Sequence, residues 1–313
     1  REHASAARID LDVVEGVQLH TKMCIQNAIA QGLPISLVIS KFDRLIVELK
    51  LPPNDAYFQL RNVIASVNQE IQSCSRNASY PLLSPDRNNV AFASAQHGFL
   101  FTCRSFAELQ NDHSVHGIDI SDFSKRLWGD CYLDPSTGQF QTSPRECRSI
   151  MDDSKPIQRT FVQFVLEPIY KIYTQCLGEH SSELNSYLRS IGVLLNKEQL
   201  RASASPLLKS VFTKFFTSTS AWVDMVIETV PHPAAAAPGK LARTYTGEIT
   251  KYMQMCDPNG PLVMHCTKQY YDGTSFWTFG RIYSGTIRPA ETVKVLGEGY
   301  NENDAEDVSV ATV

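Results

Sequence analysis

The tetrapeptide Ser40-Lys41-Phe42-Asp43 places a lysine and a carboxylate directly after an apolar, β-branched run, Leu33–Ile39. Such a run predicts a buried parallel strand, and ligands bind at the carboxyl ends of strands in open parallel sheets. A carboxylate accepts two parallel hydrogen bonds, and guanine, unlike adenine, offers such a pair from its N1–H and 2-amino group. The position of Asp43 therefore predicts recognition of a guanine base, with the methylene stem of Lys41 along the face of the base.

A second polar pair, Ser94-Ala95, follows another short predicted strand, Asn89–Ala93. Backbone N–H groups in such a loop can donate hydrogen bonds to the guanine carbonyl. Ser-Lys-x-Asp alone also fits an ordinary polar loop, but two such loops after two strands favour a nucleotide site. The predicted nucleotide-binding residues are Ser40, Lys41, Asp43, Ser94 and Ala95.

The segments around these loops alternate between strand and helix. A strand over Ile9–Val14 precedes a helix over Val17–Ala30, and Asn54 is the predicted N-cap of the next helix. That helix has apolar residues at a 3.6-residue period, namely Ala56, Tyr57, Leu60, Val63, Ile64, Val67 and Ile71. Strand–helix–strand order of this kind predicts an α/β fold with a parallel sheet.

The C-terminal quarter of the chain follows a different pattern. Residues 231–240 are rich in proline and alanine, which predicts a stiff, extended linker. Three strand-like runs separated by turns follow it, at Leu262–Lys268, Phe276–Tyr283 and Thr292–Leu296. We expect residues 241–313 to form an incomplete β-barrel.

Composition narrows the classes of function. The chain has 313 residues, 43% hydrophobic and 20% charged, which predicts two folded domains. Its net charge of -4 leaves no general basic field for nucleic acid, so RNA contacts would be local or made through a partner. No apolar run reaches the ~18–20 residues of a membrane span. The eight cysteines include no Cys-x-x-Cys pair, so neither a metal site nor a disulfide scaffold is predicted.

Several longer segments of the chain carry a family resemblance. They are Asp43–Tyr57, Lys125–Asp130, Phe161–Lys171, Phe279–Ile287 and Tyr300–Asp307. Together they resemble the translational-type GTPases related to elongation factor 2. Leu51–Tyr57 and Tyr300–Asp307 are most similar to the spliceosomal branch of that family, the GTPase of the U5 small nuclear ribonucleoprotein.

The resemblance implies a fold. Residues 1–230 would be the C-terminal part of a P-loop GTPase domain, with a parallel sheet and a helical insert at about 104–158. Residues 241–313 would be the start of the β-barrel called domain II in these factors, joined by the linker 231–240.

The resemblance also implies a function. It suggests a nuclear GTP-binding protein that regulates spliceosome activation and disassembly, with GTP or GDP and magnesium as cofactors of the full-length protein. Its partners would be the scaffold pre-mRNA-processing splicing factor 8, the U5 small nuclear RNA and the U5 helicase, with no membrane association.

Three features depart from the family. No Gly-x-x-x-x-Gly-Lys-[Ser/Thr] phosphate loop occurs, and the Asp-x-x-Gly that precedes the catalytic histidine is missing. Asp257–Gly260 matches that second string in the wrong place and predicts a turn instead. Ser40 stands where the family has asparagine. The chain is therefore expected to be a fragment without catalytic residues, inactive in GTP hydrolysis by itself.

Two other functions fit the same resemblance. One is the ribosomal translocase elongation factor 2, against which Leu51–Tyr57 and Tyr300–Asp307 argue. The other is a scaffold that binds nucleotide without significant hydrolysis, because the catalytic half of a GTPase domain does not occur in this sequence.

Overall fold

The structure is a computed structural model, and it describes most of the chain. The described residues are 4–75, 80–111, 119–135, 137–145, 147, 157–178, 181–216, 220–245, 249–301 and 306–313. They form two compact units, Ala4–Val230 and Pro231–Val313.

A four-stranded sheet lies at the centre of the first unit. Its strands, in spatial order, are β1 (Ala7–Asp12), β2 (Ile35–Ser40), β3 (Val90–Ser94) and β4 (Phe99–Phe101). β2 pairs in parallel with β1 and β3, as the apolar run of β2 predicts, and its residues 35–39 are all buried. β4 pairs antiparallel with β3, so the expectation of a wholly parallel sheet is wrong at this edge. The reason is the short turn between β3 and β4, which allows only a hairpin.

Ten α-helices are described in this unit. They are α1 (Leu19–Ala30), α2 (Arg44–Val47), α3 (Pro53–Cys74), α4 (Cys103–Asn111), α5 (Ile120–Arg126), α6 (Glu167–Leu177), α7 (Ser181–Ser190), α8 (Lys197–Leu200), α9 (Ala204–Phe215) and α10 (Ser220–Thr229). α3 buries the seven apolar residues that its periodicity predicts. It begins with Pro53 in its first turn and with Pro52, rather than Asn54, as the N-cap, because proline is well suited to the first helical position.

Aromatic side chains fill the core beneath the site. Phe42, Phe92 and Phe101 are fully buried, and the ring of Phe42 lies 6.1 Å from Phe92 and 5.8 Å from Phe101, edge-on to each. Such edge-to-face contacts are favourable beyond the burial of area alone. Because Phe42 belongs to the loop after β2, this packing fixes the position of its neighbours Lys41 and Asp43.

The segment predicted as a helical insert, 104–158, contains part of α4, α5 and a small hairpin of β5 (Tyr132–Leu133) and β6 (Phe140–Gln141). Phe106 of α4 and Phe123 of α5 belong to the main core of the unit. Residues 112–118, 136, 146 and 148–156 lie outside the described residues, and the interpretation of 104–158 as an insert stays a prediction.

The second unit begins with a helix where an extended linker was expected. α11 (Pro233–Thr244) includes most of the segment 231–240, so the extended conformation is wrong from Pro233 onward. Proline is compatible with the first helical turn, four alanines follow it, and His232 Nδ1 accepts a hydrogen bond from the Ala234 N–H at 3.3 Å. The role of this segment as a joint between domains stays a prediction.

After α12 (Thr250–Met255), the second unit consists of two hairpins. β7 (Val263–Tyr271) pairs with β8 (Phe276–Ser284), and β9 (Thr292–Leu296) pairs with β10 (Val308–Thr312). The three predicted strands are confirmed as β7, β8 and β9, and β10 is an addition. Within the described residues the hairpins are separate two-stranded sheets and do not form a closed barrel.

Candidate nucleotide-base site

The two predicted loops lie side by side at the carboxyl ends of β2 and β3. The Phe42 N–H donates a hydrogen bond to the carbonyl oxygen of Ala93 at 3.0 Å, which joins one loop to the end of the other strand. Lys41 has a φ of 55°, in the left-handed region that non-glycine residues rarely adopt. This conformation turns the chain sharply out of β2, and strain of this kind is frequent at binding sites.

Asp43 and Ser94 are in direct contact. Ser94 Oγ donates to Asp43 Oδ1 at 2.5 Å, and the Ser94 hydroxyl oxygen accepts a hydrogen bond from the His97 N–H at 3.2 Å. Asp43 is 6% exposed and Ser94 is fully buried. The sequence thus predicted two residues that the fold brings together, and they form a desolvated carboxylate with one side-chain partner. Such a group discriminates strongly between ligands that can and cannot supply further hydrogen bonds.

Ala95 is exposed at the start of the turn that joins β3 to β4. Its N–H makes no hydrogen bond to any residue that the structure describes. A backbone donor next to the Asp43–Ser94 pair suits a ligand that presents both a donor pair and a carbonyl oxygen, as guanine does.

Ser40 and Lys41 are directed towards β1 instead of Asp43. Ser40 Oγ donates to the Leu11 carbonyl oxygen at 3.0 Å, and Lys41 Nζ lies 2.9 Å from Asp12 Oδ2. Lys41 is nevertheless 60% exposed, and an ion pair at such exposure is worth at most ~1 kcal/mol. Its side chain could therefore move onto a bound base at little cost.

Asp12 is a charged residue of this site that the sequence interpretation missed. It lies at the end of β1, where it accepts hydrogen bonds from Arg44 Nη1 at 2.6 Å and from the Val14 N–H at 2.8 Å. Burial by itself would raise the pKa of Asp12, but the hydrogen bonds from Lys41, Val14 and Arg44 outweigh it and lower that pKa. A signal was present, because Asp12 ends a strand that precedes the Lys-x-Asp strand.

His97 and Tyr173 were also missed. His97 Nδ1 lies 2.8 Å from the Tyr173 hydroxyl, and both residues are almost completely buried. Burial lowers the pKa of His97, against the opposing effect of the Asp43 charge, so the imidazole is held neutral. No sequence motif joins residues this far apart in the chain, and only the fold brings them together.

The described residues offer neither a cluster of metal ligands nor a membrane-spanning helix. No group of three or more His, Cys, Asp or Glu residues that could hold a metal ion occurs among them. No helix among them is long and apolar enough to cross a membrane.

The chain is similar to known proteins along almost its whole length, and three of these relatives have 40–41% identity to it. The "109 kDa U5 small nuclear ribonucleoprotein component GFL" of Arabidopsis thaliana is 41% identical over 322 aligned residues, which cover 99% of this chain and 32% of the relative. The "110 kDa U5 small nuclear ribonucleoprotein component CLO" of the same plant is 41% identical over 99% of this chain and 31% of the relative. "Pre-mRNA-splicing factor cwf10" of Schizosaccharomyces pombe is 40% identical over 97% of this chain and 31% of its own length.

The resemblance to U5 small nuclear ribonucleoprotein components is confirmed. The chain spans about a third of the length of the curated relatives it matches. No protein-family model matches the chain.

Proposed function

We propose that this chain is the base-recognising part of a GTP-binding component of the U5 small nuclear ribonucleoprotein that acts in pre-mRNA splicing. The observation that carries the proposal is the buried Asp43–Ser94 pair at the ends of two parallel strands, in a chain whose relatives are named as U5 components and a splicing factor.

The site suits guanine in three respects. Asp43 supplies a carboxylate for the N1–H and 2-amino pair, the Ala95 N–H supplies a donor for the base carbonyl, and Lys41 supplies an exposed stem for the base face. The proposed cofactor is GTP or GDP with magnesium, and we assign to these residues only the contacts with its base. The phosphates and magnesium need the phosphate-loop motif, which this sequence does not contain.

The finer proposals concern the full-length protein. We propose that it is a nuclear GTPase of the spliceosomal branch that regulates activation and disassembly, and that it binds the splicing factor 8 scaffold, the U5 RNA and the U5 helicase. In that interpretation 1–230 is part of the GTPase domain, 231–240 the joint and 241–313 the beginning of domain II. The α/β sheet with its strand-end site supports the first of these domains.

Two alternatives are weaker. The translocase elongation factor 2 is disfavoured by relatives that are named as a U5 small nuclear ribonucleoprotein component and a pre-mRNA-splicing factor. A scaffold that binds nucleotide but seldom hydrolyses it keeps the same base site, and a single-turnover hydrolysis rate of the full-length protein distinguishes it from a GTPase.

Asp43→Asn in the full-length protein tests the base site. We expect GTP binding to weaken by ~2–5 kcal/mol, because a buried charged hydrogen-bond partner is lost. Xanthosine triphosphate should gain affinity, since its 2-oxo group accepts a bond from the new amide. Asp55→Asn, at an exposed carboxylate in the first turn of α3, is the matched control. Unchanged GTP affinity in Asp43→Asn would show that Asp43 does not contact the base.

A further inference from the structure

A continuous chain of polar contacts leads from Asp43 into the helical side of the first unit. Asp43 Oδ1 accepts from Ser94 Oγ at 2.5 Å, Ser94 Oγ accepts from the His97 N–H at 3.2 Å, and His97 Nδ1 lies 2.8 Å from the Tyr173 hydroxyl. Three parts of the fold are joined in this way, namely the loop after β2, the turn after β3 and helix α6. The proposed base site uses only the first half of this chain.

The chain of contacts is buried along its whole length. Ser94 is 0% exposed, His97 3% and Tyr173 1%. Buried polar groups are costly unless they are paired, so each of these groups depends on its neighbour for a partner. Removing one member therefore disturbs the next, and the effect reaches Asp43.

The turn that presents His97 has little freedom to adjust. Gly98 closes it with a φ of 68°, and a Cβ built there would lie 3.3 Å from Thr213 Oγ1 of α9. The His97 ring lies 5.4 Å from the ring of Tyr173 and 6.3 Å from that of Phe212. With the ring held between two helices, the backbone N–H of His97 is directed at Ser94.

Tyr173 is held by packing as firmly as His97. Tyr173 lies on α6, which begins directly after a π-helical turn at Val162–Leu166. Its ring centre is 5.0 Å from that of Phe212. A phenylalanine would fill the same apolar space, so the hydroxyl is the part of Tyr173 that packing does not explain. Burial also raises the pKa of Tyr173, which keeps that hydroxyl protonated.

We infer that Tyr173 and His97 are positioning residues for base specificity, which fix the turn after β3 so that the Ser94 hydroxyl orients the Asp43 carboxylate towards the 2-amino group of guanine. This inference rests on the proposed function. Neither residue touches the base, and both act through Ser94.

Tyr173→Phe in the full-length protein is the test, with the dissociation constants of GTP and inosine triphosphate as readouts. Inosine lacks the 2-amino group, so the ratio of the two constants measures how well Asp43 is oriented. We expect GTP to bind about 3- to 10-fold more weakly, the effect of losing one buried hydrogen bond. Inosine triphosphate should change less, so that the ratio falls.

Tyr170→Phe is the matched control. Tyr170 lies on the same helix, and its hydroxyl donates to the Leu51 carbonyl oxygen at 2.8 Å, away from the polar chain. A general loosening of α6 would affect both variants alike. Positioning by Tyr173 predicts that only Tyr173→Phe lowers the ratio.

Two variants of His97 test the same inference if Tyr173→Phe does not fold. His97→Asn retains a polar atom near the position of Nδ1, whereas His97→Leu removes it, so the former should keep more of the GTP preference. Equal ratios in wild type, Tyr173→Phe and both His97 variants would overturn the inference and leave the proposed function standing. A wild-type protein that binds GTP and inosine triphosphate equally would overturn both.

Discussion

The two units of the chain treat their aromatic side chains in opposite ways. In Ala4–Val230, Phe92, Phe101 and Phe106 are fully buried among other rings. In Pro231–Val313, Phe276 is 80% exposed and Phe279 67% exposed. The first unit thus has a core of packed aromatic rings, whereas the β7–β8 hairpin has strand pairing but almost no core.

This difference bears on where precise chemistry can be located. A base site needs side chains held to a fraction of an ångström, and a packed core around the supporting loops provides that. A hairpin with exposed rings cannot hold a site to this precision by its own packing. We therefore expect the first unit to recognise the nucleotide and the hairpins to be stabilised mainly by backbone pairing.

The largest expected effect tests this contrast directly. Phe101→Ala should destabilise the first unit by ~3–5 kcal/mol, because it removes a buried ring and leaves a cavity. Phe279→Ala should cost the β7–β8 hairpin less than ~0.5 kcal/mol, as expected for an exposed position. The measurement is the free energy of amide opening by hydrogen exchange in the full-length protein, in β2 and β3 for the first variant and in β7 and β8 for the second. A loss above 1 kcal/mol at Phe279 would break the comparison, since it would show that another part of the protein covers that ring.

The sequence predicted the part of the fold that depends on local patterns. β2 was predictable because five successive buried residues make a continuous apolar run, and α3 because its buried residues recur at the helical period. The α11 helix was not, since the prolines at 231, 233 and 238 favour an extended chain by composition alone. Pro233 suits the first turn of that helix, whereas Pro238 lies inside it and has no N–H to donate to the preceding turn.

The residues of the candidate site also divide into those that the sequence could predict and those that it could not. Asp43 and Ser94 were predictable because each follows a strand, and strand ends of a parallel sheet meet. Asp12 could have been found by the same rule, since it ends β1, whereas the Leu11 carbonyl that Ser40 contacts belongs to no motif. His97 and Tyr173 meet only through tertiary packing, for which a single sequence carries no signal.

A smaller effect concerns the backbone of the second unit. Gly285 has a φ of 76°, and a Cβ there would lie 2.5 Å from the Cα of Leu262, whereas Gly273 has a φ of 100° with open space around it. Gly273→Ala should therefore cost about 1 kcal/mol of backbone strain, and Gly285→Ala about 2–4 kcal/mol. Hydrogen exchange in β7 and β8 measures both. Equal costs would contradict the view that close backbone contacts, rather than buried side chains, stabilise this hairpin.

The smallest expected effect is a pH dependence of the turn after β3. Burial lowers the pKa of His97 below its ordinary value of 6.5, so the unfolded chain takes up a proton before the folded one does. The stability of the turn after β3 should then be complete above pH 6.5 and decline as the pH falls below it. His97→Asn should remove this decline, because asparagine does not titrate. The β7–β8 hairpin of the same sample is the internal reference above about pH 5, because hydrogen bonds from Ser275 and Thr274 lower the pKa of its Asp272, which stays ionised there in the folded and the unfolded chain. Hydrogen exchange of residues 95–101, corrected for the intrinsic effect of pH, measures the slope. If wild type and His97→Asn lose protection in parallel on acidification, His97 is not the group that links pH to the stability of this turn.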